Sequence, residues 1–195
     1  IQQPLCGDGP LAHRRLALHG TVGLDEFLER LHLGQRILFS SSENGGGVGG
    51  LGLGYTLRSA LDLIPEDGKA VQVELVPEVV EWNRGPLASF ADHPLDDERT
   101  ELVQGDVTEV IRNAHNEFDA IMLDVDNGPS PIVDERNGWL YTDPGLQAIR
   151  RALKNGGKVA IWSADDEPKF PGRMRRNGFR ADRHRVRTHK GKGDR

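Results

Sequence analysis

A doubly wound α/β domain built on a mostly parallel sheet is the fold this sequence predicts, and three observations predict it. Short apolar runs alternate with stretches of helical spacing from residue 50 onward. Several of the runs close on an acid or a glycine–acid pair, as strands do when they open into loops at one edge of a sheet. A glycine run, Gly49–Gly54, stands directly before the first helical stretch.

The elements follow in order. Phe27–Phe39 carries strand or short-helix signals around Gly34, and predicts a small N-terminal β-hairpin layer over residues 1–44, ahead of a main domain over 45–195. Leu57–Leu63 has the apolar spacing of a helix, stopped by Pro65, Asp67 and Gly68. Ala70–Leu75 reads as a strand containing Glu74. Pro77–Asn83 resumes helical spacing, with proline suited to a first turn. Thr100–Val103 is a strand broken by Gly105-Asp106, and Val107–Ala114 a helix. Phe118–Leu123 is a buried strand running into Asp124. Leu146–Leu153 is a helix closed by Asn155-Gly156-Gly157, and Lys158–Ser163 the next strand.

One stretch conflicts with this plan. A glycine loop of this kind should follow a buried strand, yet the last apolar run, Ile37–Phe39, is separated from it by the polar stretch 40–47. The expectation is that residues are missing near Asn44–Gly47. A start at Ile1 and an end at Gly193-Asp194-Arg195 extend that expectation to both termini.

Composition narrows the function. The chain is 36% hydrophobic and 28% charged over 195 residues, which suits one ordinary globular domain. No segment approaches the roughly 18 consecutive apolar residues of a membrane span. The single cysteine, Cys6, precludes an internal disulfide and fits the cytoplasm. Net charge is −5, but from Arg173 onward ten Lys/Arg face two acids. With Phe179, Ala181 and Val186 interleaved and no recognition motif, that tail reads as an exposed closing strand, and nucleic acid is not an expected partner. The histidines form no metal-ligand pattern.

The chemistry lies at the predicted strand ends. Gly49, Gly50, Gly52 and Gly54 permit a tight turn that brings backbone close to a ligand, at the start of a helix. By itself the run also fits a flexible linker. Glu74 stands 20 residues after Gly54, where a carboxylate accepts both hydroxyls of a ribose. Asp106 can accept from an adenine amino group, and Leu75 and Val107, which follow the two acids, complete the cofactor-binding set. Asp124, closing FDAIML above the loop, is a candidate site residue, because a strand-end acid is costly there unless it binds something. Asp126 and Asn127 add convergent polar groups for a substrate.

In the order GGLGLGYTLRSAL, VELVPEVVEWNRG, VQGDV, FDAIMLDVDNGP and LYTDPGLQAIRRALKNGG, residues 48–165 resemble the S-adenosylmethionine-dependent methyltransferase fold and, more narrowly, the spermidine synthase family. The resemblance implies S-adenosylmethionine or its decarboxylated form as donor, with no metal, and a small-molecule amine as acceptor. It implies ribose binding by Glu74, adenine contact by Asp106, a catalytic role for Asp124 in deprotonating the amine, and a substrate-side position for Tyr141. It also implies a homodimer. Two positions depart from the family: Leu53 stands where it has an aspartate that holds the donor's amino group, and Asn127 where it has a polyamine-binding acid. Aminopropyl transfer is the first reading, with methyl transfer beside it. A non-catalytic nucleoside-binding module and an NAD-dependent oxidoreductase are the alternatives.

Overall fold

The computed structural model describes residues 36–42, 51–125, 138–162 and 167–183. Five strands, β1 (Arg36–Ser42), β2 (Lys69–Glu74), β3 (Thr100–Gln104), β4 (Phe118–Val125) and β5 (Leu153–Trp162), form one sheet in the order β3-β2-β1-β4-β5. All four pairings are parallel. The helices are α1 (Tyr55–Leu61), α2 (Pro77–Arg84), α3 (Val107–Asn113), α4 (Asp143–Ala152) and α5 (Phe170–Arg176). Short 3-10 turns occupy Ala88–Ala91 and Trp139–Tyr141.

Strand alternation sorts the core into two layers. Val71, Val73, Ile121, Leu123, Val159 and Ile161 face one way, against α3, α4 and α5. Ala70, Ala120, Met122 and Ala160 face the other, against α1 and α2. The intervening small residues let α1 approach closely. Parallel strands covered on both faces read as nearly continuous apolar runs, which is why β2 and β4 were visible in the sequence. On α4, Leu146 and Ile149 are fully buried and contribute roughly 1.5–3 kcal/mol each, more than any charge at its ends. Thr142 caps that helix through Gly145, where a side chain would collide with the Trp139 carbonyl oxygen.

Two expectations are corrected. Arg36–Ser42, expected within a separate N-terminal layer, is the middle strand of the sheet, bonded to β2 from Arg36 to Ser40 and to β4 from Ile37 to Ser42. The sheet therefore begins before the boundary expected at residue 45; residues 1–35 and 43–44, the rest of that expected layer, lie outside the described residues. The strand runs through the serines at 40–42, whose polarity hides it from an apolar pattern; the gap expected near Asn44–Gly47 falls outside the described residues. Finally, Asn155-Gly156-Gly157 does not separate helix from strand. Leu153 already pairs with Phe118, and a register irregularity before the Ala120–Lys158 pair absorbs the three residues, with Gly156 at φ 79°.

An ion-pair cluster joins α1 to the segment before β3. Arg99 grips Asp97 with Nε and Nη2 at 3.0 and 2.7 Å, and Arg58 lies 3.7 Å from the same carboxylate. The Arg99 hydrogen bond holds the Asp97 carboxyl down at about 2, from an ordinary 3.8. Because the folded value is depressed, this stabilisation is complete above about pH 4 and is lost as pH falls towards 2. Asp97→Asn is expected to remove about 1 kcal/mol at pH 7 and to flatten that acid limb, as read from urea unfolding at stepped pH.

Candidate active site

Because all five strands run the same way, their carboxyl ends lie along one edge. The order β3-β2-β1-β4-β5 places a topological switch between β1 and β4, where successive loops diverge towards opposite faces and leave a crevice. The glycine turn sits beside it. Gly54 N–H donates to the Leu51 carbonyl at 2.6 Å, with Gly52 and Gly54 at φ 51° and 82°. An added Cβ at Gly54 would stand 2.8 Å from Pro94 Cγ, so both conformation and space require glycine there. Gly49 and Gly50 lie outside the described residues.

Glu74 ends β2 and is 2% exposed. Its Oε2 accepts from the Leu51 N–H at 3.0 Å, and its Oε1 from the Val76 N–H at 2.8 Å. One carboxylate thus ties the glycine turn to the start of α2. A carboxylate offers about four lone-pair positions, all of them acceptors. The Glu74 carbonyl also accepts from Gly105 N–H at 2.9 Å, which holds the β3 end beside it.

Sequence reasoning missed Asn83. It is 1% exposed on α2 and donates through Nδ2 to the Gly52 carbonyl at 2.7 Å and the Val79 carbonyl at 2.9 Å. The available signal was a polar residue at the apolar i+4 position from Val79. Asn83→Ala is expected to cost about 1–3 kcal/mol of stability and to loosen the turn, measured by urea unfolding and by faster amide exchange at 51–54.

The other expected residues divide. Asp106 caps α3, accepting from Thr108 N–H at 2.7 Å, and remains partly exposed at the rim. Leu75 is 45% exposed beside Glu74, an apolar surface at the same edge. Val107 is buried in the core against α3's neighbours. Asp124 pairs with Ser41 of β1 and Trp162 of β5, one residue from the end of β4. Its backbone lies two strands from Glu74, a spacing of about 10 Å. Asp126 and Asn127 lie outside the described residues. Tyr141 is packed in the core at 3% exposure, edge-on to Phe170 with centroids 5.6 Å apart, because its 3-10 turn tucks under α4. Among the described residues no group of three or more His, Cys, Asp or Glu is placed to hold a metal, and no helix is long and apolar enough to cross a membrane.

Known proteins resemble this chain. The family model for the spermine/spermidine synthase domain matches residues 23–168. A polyamine aminopropyltransferase of Bacillus mycoides is 35% identical over 152 residues, covering 77% of this chain and 52% of its own. One from Saccharolobus islandicus is 33% identical over 121 residues, covering 62% and 38%. Among solved structures, a spermidine synthase in complex with the transition-state analogue AdoDATO superposes with a TM-score of 0.50 at 26% identity, over 80% of this chain and 47% of that one. The chain thus spans about half, or less, of the length of these relatives. With the glycine turn, Glu74, Asp106 and Asp124 at successive strand ends of such a sheet, the chain belongs to the spermine/spermidine synthase domain family.

Proposed function

We propose that this chain forms the donor-binding part of an aminopropyltransferase that uses decarboxylated S-adenosylmethionine and a small amine. The observation that carries the reading is the buried Glu74 carboxylate, bonded into the glycine turn through Leu51 N–H at the carboxyl end of β2. That position suits the ribose diol, with the exposed Leu75 and the rim acid Asp106 on the side of the base. In the reaction the acceptor's amine nitrogen attacks the aminopropyl carbon bonded to sulfur. The new C–N bond forms as the C–S bond breaks, methylthioadenosine leaves, and the amine proton passes to Asp124. The sulfonium supplies the leaving group, so placing the two reactants is the main task of the protein. Asp126 and Asn127 would meet the acceptor. The chain is assigned to the cytoplasm and to a homodimer on the same reading.

A thermal-shift panel with decarboxylated S-adenosylmethionine, S-adenosylmethionine, methylthioadenosine and NAD tests the reading, followed by mass spectrometry with putrescine. Stabilisation by the first and third and an aminopropylated product are expected. Stabilisation by NAD alone overturns it. The half-buried Leu53, in the loop where the family has an acid, favours one second reading: a module that holds the nucleoside without transferring the group. Methylthioadenosine binding without product from any diamine would select it.

A further inference from the structure

The glycine turn is pinned at one peptide by a residue that lies outside it. Residues 51–54 close a four-residue β-turn through the Gly54 N–H to Leu51 carbonyl bond, and of its two central residues only Gly52 has a positive φ. That combination is a type II′ turn. Its central peptide, Gly52–Leu53, is trans, so the carbonyl and the N–H point in opposite directions. Glycine at the first central position lets this peptide turn over at little steric cost. The turn's own sequence therefore does not decide which way the two groups face.

Asn83 decides it. From a position 1% exposed on α2, its Nδ2 donates to the Gly52 carbonyl at 2.7 Å. A second bond from Nδ2, to the Val79 carbonyl at 2.9 Å, holds the amide against its own helix. Both partners are acceptors, so the nitrogen must face them and the oxygen must face elsewhere. Asn83 Oδ1 is accordingly buried with no hydrogen-bond partner, 3.3 Å from where a Cβ on Gly54 would stand. A bare buried acceptor costs stability, so packing alone does not favour this side chain. What it supplies is a fixed direction for the Gly52 carbonyl. With that carbonyl held against α2, the Leu53 N–H points away from α2. The Leu51 N–H already donates to Glu74, but no described residue accepts from the Leu53 N–H.

We propose that Asn83 is a positioning residue of the donor site: by holding the Gly52 carbonyl, it aims the Leu53 N–H at an acceptor atom of the bound nucleoside. Asn83 is too deeply buried to touch the ligand and acts through the turn. This role rests on the donor-binding reading of the turn.

NMR titration of the full chain with methylthioadenosine, together with its Kd for wild type and Asn83→Ala, tests the role. In wild type the Leu53 amide proton is expected to move downfield and to exchange more slowly on binding, while the Leu51 amide, already bonded to Glu74, moves less. In Asn83→Ala, shown to be folded by circular dichroism, Kd should rise about tenfold and the Leu53 response should vanish. A purely structural asparagine would lower the unfolding midpoint and leave both readouts as in wild type. If the variant does not fold, the wild-type Leu53 amide decides alone. An unmoved Leu53 amide in wild type that binds, or a Kd in the folded variant within about threefold of wild type, overturns the role and spares the donor assignment. Wild type that binds no methylthioadenosine removes that assignment and this role together.

Discussion

Glu74→Gln is expected to weaken methylthioadenosine binding by about two orders of magnitude, through loss of charge-assisted hydrogen bonds worth about 3 kcal/mol together. The Glu74 carboxylate already accepts from Leu51 and Val76 N–H groups, so every further bond it makes must also be as an acceptor. A glutamine replaces one oxygen with an NH2 donor. Turned towards Leu51 or Val76, that group faces an N–H and releases either the glycine turn or the start of α2. Turned towards the diol, it cannot accept from a hydroxyl. No rotamer of glutamine satisfies both sides, whereas Glu74→Asp keeps the charge and loses only reach, and should fall between the two. Unfolding without ligand separates the contributions: loss of the turn alone lowers stability, while loss of the diol contact appears only in Kd. A Kd within about threefold of wild type would remove Glu74 from the ribose and with it the basis of the donor assignment.

Much of this arrangement was legible in the sequence, for a physical reason. β2 and β4 are covered on both faces, so Ala70–Glu74 is buried throughout and Phe118–Leu123 is apolar and buried except at Asp119, and both stand out without any periodicity. Their acids mark the edge where cover ends. β1 was illegible from the same rule. Its last three residues are serines, yet Ser40, Ser41 and Ser42 hold register with Leu123, Asp124 and Val125, and Ser40 also with Val73, so ladder pairing outweighs low strand propensity. Asn83 was hidden differently. Its value comes from the Gly52 carbonyl 31 residues away, a partner that only the folded α2 brings within 2.7 Å. Tyr141 shows the converse limit: proximity in sequence to a substrate-side segment did not reveal that its ring packs against Phe170 of α5.

Asp124→Asn is expected to leave methylthioadenosine binding within about threefold of wild type and to lower kcat for aminopropyl transfer about 10²–10⁴-fold. The strand supplies the reason to expect such a clean separation. Asp124 is flanked by β1 on one side and β5 on the other, paired with Ser41 and Trp162, so its backbone is fixed by ladders independent of its side chain. Glu74 and the glycine turn, which would carry the nucleoside, lie two strands away. Asparagine keeps the size and one acceptor oxygen but cannot take up a proton. An aliphatic amine is an ammonium ion at neutral pH, with no lone pair for attack, until a base removes that proton. The variant's rate should therefore climb as pH approaches about 10, where free amine accumulates in solution, and its deficit relative to wild type should narrow. A constant deficit across that range would mean that Asp124 orients the amine through a hydrogen bond and another group takes the proton. Unchanged kcat at neutral pH would remove Asp124 from the reaction altogether.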